Sequence, residues 1–389
     1  MVANNRTFYA TQALLLKPQT GDGAGVDTTA AGWLSPKGIQ SVGITTNFNL
    51  TQVFQMGQLE LYDRPEEIPE VQVTINKIID GTAPLYLMCM GGTTTVATNN
   101  GKTLVELANN RVNVRLGIFG DTNSAATGAS RAHVDMSGMY LSSFTYTFPL
   151  EGQLTEEVTL VGNKKTWGSG LFGTPASTSI GFGHTGSGTS PNTMMRANVM
   201  ITGTNVVWPT GAGGIALPSG GSGTQQLPHF QSVTISSNLG REVINELGRF
   251  VPYYRYVTFP LEITSEFTII GTDGDNIAAE DFTAGLACGA QTHNVPDSIG
   301  GVVAVTGYRN LVDKEIKVAI QGKGCDDILK IDLGKKNKLT SVNYSGGDTG
   351  GGNATVAYSF STYNTFILSA SGTFIEQQWI DQTDDAVSD

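Results

Sequence analysis

The residue types that carry catalysis or bind metals are scattered along this sequence. The four histidines are far apart, and none stands in the His-Glu-x-x-His or paired Cys/His arrangement that zinc sites use. His133 precedes Asp135 by two residues, but no Gly-x-Ser-x-Gly nucleophile motif accompanies them. The Gly-x-Gly-x-x-Gly patterns that begin at Gly168 and Gly181 continue into Gly, Ser and Thr, where a dinucleotide site needs a helix. We therefore predict no enzyme active site, no cofactor and no metal centre.

Two locally charged segments have less specific interpretations. Asp273, Asp275, Glu280 and Asp281 could gather a calcium ion, but their spacing departs from the EF-hand loop, and a solvated turn is favoured. The lysines of residues 334–338 are typical of a solvated strand edge that discourages strand addition, and only rarely of a DNA contact. The formal net charge of -11 argues against binding nucleic acid by neutralising phosphates, which needs clustered Lys and Arg.

Composition indicates a β-rich chain with many turns. Gly contributes 49 of 389 residues, and only 15% of residues are charged where about 25% is typical. No apolar run approaches the roughly 20 residues of a membrane span, so we expect no membrane association. The apolar stretch at residues 13–16 is too short for a secretory signal, and we expect the protein to fold in a cytoplasm with its three cysteines reduced.

An internal repeat is the strongest signal in the sequence. The segment that starts at Ile39 aligns without gaps with the segment that starts at Phe230, at a constant shift of 191 residues. The identical pairs are Gln40/Gln231, Ser41/Ser232, Val42/Val233, Ile44/Ile235, Asn47/Asn238, Gly57/Gly248, Tyr62/Tyr253, Arg64/Arg255 and Pro69/Pro260. A second block, LSSFTY from Leu141 and LTSVNY from Leu339, matches at a shift of 198, which also pairs Val158 with Val356.

The repeat divides the chain into two copies of one fold. Residues 168–193 lack Asp, Glu, Lys and Arg and are dense in Gly, Ser and Thr, so we interpret them as a flexible linker. The first copy then spans residues 1–167 and the second spans residues 194–380, and residues 381–389 form an acidic tail.

Within each copy, alternating polar and apolar residues predict mostly antiparallel strands with one wet face. In EVQVTIN (residues 70–76) and LEITSEFTII (residues 261–270), the polar positions fall on one face. Those polar residues are Glu70, Gln72, Thr74, Asn76, Glu262, Thr264, Glu266 and Thr268. Residues 51–56 and 241–247 are predicted as short helices that face the sheet and end at Gly57 and Gly248. Residues 100–103 are predicted as a hairpin turn.

The paired blocks at residues 39–81 and 230–271, with the closing strand pairs at 141–162 and 339–360, resemble the major tail tube proteins of long-tailed bacteriophages. The resemblance covers most of the chain, at the level of pattern. It implies two tandem tail-tube-like β-sandwich or barrel domains, each with one short helix. It also implies hexameric rings with a continuous inner barrel, which duplicated members build as pseudo-hexameric trimers.

The same resemblance implies a function as a virion tail component assembled in the host cytoplasm. Stacked rings would pass double-stranded DNA and contain a tape-measure protein, with further contacts to other tail proteins. The eight polar residues would then line the lumen, although they could equally face outward to solvent. Inter-ring contacts are expected from residues 1–8, 21–37 and 381–389.

Two alternatives belong to other classes. A tail terminator or distal tail protein would form discrete rings that do not polymerise. A carbohydrate-binding or adhesive β-sandwich would usually carry a signal peptide and an exposed aromatic platform, whereas Trp33, Trp167, Trp208 and Trp379 are dispersed.

Overall fold

The computed structural model describes fifteen stretches of the chain. They are residues 7, 9–19, 33–91, 101–119, 130–170, 193–202, 207–208, 215–216, 229–249, 251–271, 293–296, 302–305, 315–321, 327–347 and 352–370. The fold of these stretches is mainly β. None of their helices combines the length and the apolar character that crossing a membrane requires.

Twenty-three strands and two short α-helices lie in the described residues. The strands are β1 (Gln12–Gln19), β2 (Ile39–Asn47), β3 (Val53–Phe54), β4 (Leu61–Asp63), β5 (Glu70–Ile78), β6 (Arg111–Ile118), β7 (Ser130–Pro149), β8 (Thr155–Gly162), β9 (Lys164–Gly170), β10 (Val199–Thr202), β11 (Val207–Trp208), β12 (Ile215–Ala216), β13 (Phe230–Asn238), β14 (Arg241–Ile244), β15 (Tyr254–Val257), β16 (Glu262–Ile270), β17 (His293–Pro296), β18 (Val302–Val305), β19 (Lys317–Gln321), β20 (Asp327–Asp332), β21 (Lys338–Ser345), β22 (Thr355–Tyr363) and β23 (Ile367–Ala370). The helices are α1 (Leu85–Met90) and α2 (Leu104–Leu107), and the stretches Tyr9–Thr11 and Arg196–Asn198 form single 3-10 turns.

Eight strands follow one another across a continuous antiparallel sheet in the order β2-β5-β8-β7-β13-β16-β22-β21. The first four belong to the N-terminal half of the chain and the last four to the C-terminal half. Across the sheet, both groups have the same arrangement. Each begins with the first and second of its four strands in chain order, followed by the fourth and then the third. The two groups meet where β7 pairs with β13.

The strands of the second layer also follow one order in both halves. In the first half, the N-terminal part of the 20-residue strand β7 lies between β6 and β9, and β1 pairs with the outer edge of β6. In the second half, a separate sheet has the order β10-β19-β20-β23. Apolar side chains of both layers and of α1 belong to a single large core, which gives the chain a sandwich-like architecture.

The alternation read from the sequence is present in the strands. Val71, Val73 and Ile75 of β5 are buried while Gln72 between them is exposed. In β16, Ile263 and Phe267 are buried in the same way.

The two predicted helices are wrong. Residues 51–56 lie in the β3–β4 hairpin, and residues 241–247 lie in the β14–β15 hairpin and its turn. Met56 and Leu247, which were expected to face the sheet, are fully exposed at the two hairpin turns. Gly57 and Gly248 do have positive φ angles of 88° and 83°, but they shape the turns instead of ending helices.

The helices that do form lie elsewhere. The six residues of α1 are all buried, so no amphipathic pattern marks this helix in the sequence. The helix α2 begins at the segment that was predicted as a hairpin turn: Thr103 and Glu106 form a reciprocal capping box there.

Glu156 of β8 fixes α1 against the sheet. One carboxylate oxygen accepts a hydrogen bond from the Leu85 N–H at 2.8 Å, and the other accepts bonds from the Tyr86 N–H at 2.8 Å and the Tyr146 hydroxyl at 2.6 Å. Glu156 is only 1% exposed. Burial, and secondarily this carboxylate, raises the pKa of Tyr146 well above its ordinary value. The carboxylate therefore satisfies three buried hydrogen-bond donors.

We expect Glu156→Ala to lower the free energy of unfolding by about 3–5 kcal/mol, because it orphans three buried donors and leaves a cavity. Glu156→Gln should cost less, since one amide oxygen still accepts. The adjacent Glu157→Ala is the matched control: Glu157 is exposed, and its loss should change stability by less than about 0.5 kcal/mol. Urea unfolding followed by circular dichroism measures all three, and equal losses for Glu156→Ala and Glu157→Ala would contradict this account.

Candidate assembly interface

The joint between the two halves is a strand pair. Seven consecutive residues of β13 pair antiparallel with the end of β7, from Ser232 opposite Pro149 to Asn238 opposite Ser143. On the core side of this pair, Ile235 lies opposite Tyr146, and both are fully buried. The hydrogen-bonding edge of β7 is therefore covered by the second half of its own chain.

Aromatic packing supports the joint from the core. Phe366, in the segment before β23, contacts three rings of the first half, with centroid separations of 5.1 Å to Tyr86, 4.6 Å to Phe144 and 6.1 Å to Tyr146. Each such ring pair adds about 0.5–1.5 kcal/mol beyond its buried area. The two halves thus share a core as well as a sheet.

Arg241, the first residue of the β14–β15 hairpin, ties that hairpin to the first half. Its guanidinium donates to the carbonyl oxygens of Leu141 and Ala108, the latter at 2.6 Å, and lies 4.9 Å from the centroid of the Tyr140 ring. Burial lowers the pKa of Arg241 to about 10, and burial raises that of Tyr140 to about 12. Both groups hold their ordinary protonation states at neutral pH, so the contact is a cation over a neutral ring.

A second pair of contacts continues the hairpin across the joint. The Tyr254 hydroxyl donates to the Asn109 carbonyl at 3.0 Å. Arg255, which is 5% exposed, forms an ion pair with Glu70 at 3.2 Å and donates to the Asn163 side chain. The hairpin of the second half therefore contacts β5, β7, the residues after α2 and the residue after β8 in the first half.

The outer edges of the eight-strand sheet are β2 and β21. Within the described residues, β2 pairs only with β5, and β21 pairs only with β22. The edge strand β2 has the same place in the first half that β13 has in the second half. The edge strand β21 has the same place in the second half that β7 has in the first half. The lysines at residues 335 and 336 lie in the turn before β21, ahead of its unpaired edge.

Two β-bulges align the edges with the strands of the joint. The bulge between Ile39 and Ser41 of β2 recurs between Phe230 and Ser232 of β13, so the bulged residues are Gln40 and Gln231. The bulge between Leu141 and Ser143 of β7 recurs between Leu339 and Ser341 of β21. The first match keeps the shift of 191 and the second keeps the shift of 198.

The pairing corrects one sequence equivalence. Val158 lies between Ile75 and Phe144 in the sheet, and Tyr358 lies between Phe267 and Val342. Tyr358 therefore occupies the register position of Val158, two residues beyond the Val356 that the shift of 198 had selected. The face is the same because two residues complete one strand period.

Burial differs sharply between equivalent positions of the joint and the free edges. Tyr146 is fully buried, whereas Tyr344, its equivalent on β21, is 49% exposed. Leu239 is fully buried after β13, whereas Phe48 after β2 is 67% exposed. Val42 and Ile44 of β2 are partly buried, whereas the equivalent Val233 and Ile235 are buried. The free edges thus expose the side chains that the joint hides.

The face of the sheet opposite the core is polar from one edge to the other. One row across the eight strands in sheet order comprises Ser41, Asn76, Glu157, Thr145, Ser236, Thr264, Ser361 and Lys338. The residues predicted to line a lumen share this face: Glu70, Gln72, Thr74, Asn76, Glu262, Thr264, Glu266 and Thr268. Its charged members in these strands are Glu70, Glu157, Glu262, Glu266 and Lys338, so the face is net negative.

The residue pairs singled out by the repeat occupy matching places. Gln40 and Gln231 are the bulged residues, Asn47 and Asn238 end their strands, and Gly57 and Gly248 form the hairpin turns. Tyr62 and Tyr253 are exposed on the hairpins, and Pro69 and Pro260 precede β5 and β16. The pair Arg64 and Arg255 differs most, since Arg64 is exposed and Arg255 is buried.

Sequence reasoning missed Arg241, because the residue at the equivalent position 50 is a leucine and the repeat gave no signal there. Several other expectations fall on residues outside the described part of the chain: the candidate cation loop at residues 273–281, and most of the predicted inter-ring segments at residues 1–8, 21–37 and 381–389. Among the described residues, no three His, Cys, Asp or Glu side chains gather as a metal site would need.

Comparison with known proteins yields no assignment: no family model matches the chain, and no curated protein matches it significantly.

We expect Arg241→Leu, which installs the residue of the equivalent position 50, to lower the free energy of unfolding by about 2–4 kcal/mol, because buried carbonyls lose a charged donor. Arg249→Leu is the control, because Arg249 lies in the same hairpin with an exposed ion pair to Glu246, and its loss should cost under about 1 kcal/mol. Urea unfolding measures both. An Arg241→Leu protein as stable as Arg249→Leu would contradict the role of Arg241 in the joint.

Proposed function

We propose that this protein is the structural subunit of a bacteriophage tail tube. Chains join edge to edge into rings, and the rings stack into a hollow tube through which DNA leaves the virion. The protein acts as a passive conduit and not as an enzyme.

The observation that carries this proposal is the match between the free edges and the joint. In the joint, the third strand of one unit pairs with the first strand of the next unit. The free edges β21 and β2 are that same third strand and first strand, with the same bulges. Joining β21 of one chain to β2 of another repeats a contact that the chain already makes within itself.

Physical chemistry favours closing these edges. A strand edge presents unpaired N–H and C=O groups, and natural proteins cover, charge or pair such edges. A contact between different surfaces of the same chain closes into a ring when its rotation divides a full turn, and otherwise it continues as a filament. In the trimeric arrangement that the resemblance implies, three chains contribute six sandwich units.

The polar face supports the choice of a conduit. In such a ring, a continuous barrel has one face toward the core and one toward water. We assign the polar face, with four glutamates and one lysine, to the lumen. A net negative lumen repels phosphates and leaves DNA free to slide. The lumen would also hold a tape-measure protein during assembly in the host cytoplasm.

The assembly prediction is tested by negative-stain electron microscopy and light scattering over a concentration series. Wild-type protein should give rings or tubes, whereas Tyr344→Lys should remain a monomer, because a charge would be buried at the β21 edge. Val105→Lys is the control, since Val105 is an exposed apolar residue of α2 outside both edges. Monomers of the wild-type protein under all conditions would overturn the proposal, and rings that never stack would favour a tail terminator or distal tail protein.

The lumen prediction uses double-stranded DNA. Glu157→Lys combined with Glu266→Lys should make assembled protein retain DNA, with an affinity that falls steeply as salt rises. Glu151→Lys combined with Glu242→Lys makes the same charge change at exposed positions outside the eight-strand polar face and should retain much less. Equal retention by the two variants, measured by co-sedimentation, would show that the polar face does not line the DNA path.

A further inference from the structure

We infer that the β3–β4 hairpin (residues 48–68) of one chain clasps the second half of the next chain, with Arg64 paired to Glu262 and Phe48 buried in the contact. This inference rests on the proposed edge-to-edge assembly and names the residues that would hold it. The contact is inferred by analogy with the one that the β14–β15 hairpin makes with the first half of its own chain.

The two hairpins have the same register. Leu50 bridges Glu66 at the base of the first hairpin, and Arg241 pairs with Val257 at the base of the second, each shifted by 191 residues. Further out, Val53 pairs with Asp63 as Ile244 pairs with Tyr254, again with that shift. The two hairpins are therefore structurally equivalent. The β14–β15 hairpin is docked on the first half of the chain, and the β3–β4 hairpin is free.

Arg64 and Glu262 are the free counterparts of a pair that exists inside the chain. Arg255 of the docked hairpin binds Glu70 at the start of β5. Arg64 is the equivalent of Arg255 at the shift of 191. Glu262, at the start of β16, is the register equivalent of Glu70 at a shift of 192, because Val71 lies opposite Thr46 and Ile263 lies opposite Ser237. Both Arg64 and Glu262 are exposed, and neither forms an ion pair with any described residue. Arg64 of one chain could therefore pair with Glu262 of the next chain, as Arg255 pairs with Glu70 within the chain.

Phe48 supplies an apolar contact at the root of the hairpin. In the joint, the N–H of Leu239 donates to the Ser142 carbonyl, and the side chain of Leu239 is fully buried. The equivalent of Ser142 is Thr340, in the bulge of β21. Docking of the free hairpin would bring the Phe48 N–H to the Thr340 carbonyl of the next chain and bury the ring, which is 67% exposed.

The joint also fixes the register of the contact between chains. Ile235 lies opposite Tyr146, and Ser236 lies opposite Thr145. Shifting these positions by 191 and 198 residues places Ile44 opposite Tyr344, and Thr45 opposite Asn343. The latter two are exposed on their strands, on the polar face.

A charge-reversal cycle tests the ion pair in the full-length chain. Arg64→Glu and Glu262→Arg should each raise the concentration needed for assembly by about tenfold, since each places like charges together. The double variant restores an opposite pair between chains and should recover most of that loss. Lys102→Glu, an equal charge change at an exposed residue just before α2, should assemble like the wild type.

Crosslinking tests the register independently. In a background with Cys288 and Cys325 changed to Ser, Thr45→Cys with Asn343→Cys should form covalent oligomers on mild oxidation. Directly opposed residues of antiparallel strands have Cα atoms about 4.5–5.5 Å apart, within the range that a disulfide spans. Thr45→Cys with Ser345→Cys, two residues out of register on the same face, should crosslink at least about tenfold less. Denaturing gel electrophoresis separates the products.

The outcomes separate the inference from the proposed function. Rings of wild-type protein without rescue in the double variant, or with equal crosslinking of both cysteine pairs, would overturn the inferred contact and leave the tube intact. Failure of the wild-type protein to assemble would overturn both. Rescue together with register-specific crosslinking supports the inferred contact.

Discussion

The hydrogen-bonded edge of β7 is the constraint on which the rest of the structure depends. This strand must pair on both sides over its last residues, and the chain provides β8 on one side and β13 on the other. The buried guanidinium of Arg241 and the Arg255–Glu70 ion pair hold the partner in place. The outer edge of β21 has no partner strand within the described residues, and the proposed assembly would supply one.

The general architecture could be predicted because its signals are local. Alternation of apolar and polar residues in β5 and β16 follows directly from the two-residue strand period. The gapless shift of 191 residues preserved not only residue types but also bulges and hairpin registers, since insertions in those places would move every side chain to the other face. The candidate lumen residues could be placed on one face for the same reason.

The errors came from features that local pattern cannot distinguish. Val53 and Met56 are three residues apart, a helical spacing, but a short hairpin with an exposed turn imposes no periodicity on its apolar residues. The helix α1 is buried on every side and shows no stripe. The helix α2 is an exception, because its capping box at Thr103 and Glu106 is present in the sequence and the prediction of a hairpin turn at residues 100–103 overlooked it. The equivalent of Val158 was assigned two residues too early, to Val356 in place of Tyr358. Because two residues are one strand period, both lie on the same face, and the alternation pattern gave no sign of the error.

The difference between Arg241 and Leu50 has a mechanical consequence. In the proposed ring, each joint within a chain would have the buried guanidinium of Arg241 and a peptide connection. Each contact between chains would have Leu50 at the equivalent position and no peptide connection. A closed ring of this kind would alternate stronger joints within chains and weaker contacts between chains. Under load or at high temperature the ring should open at the three contacts between chains and separate into whole subunits. Its deformation should therefore have threefold and not sixfold symmetry.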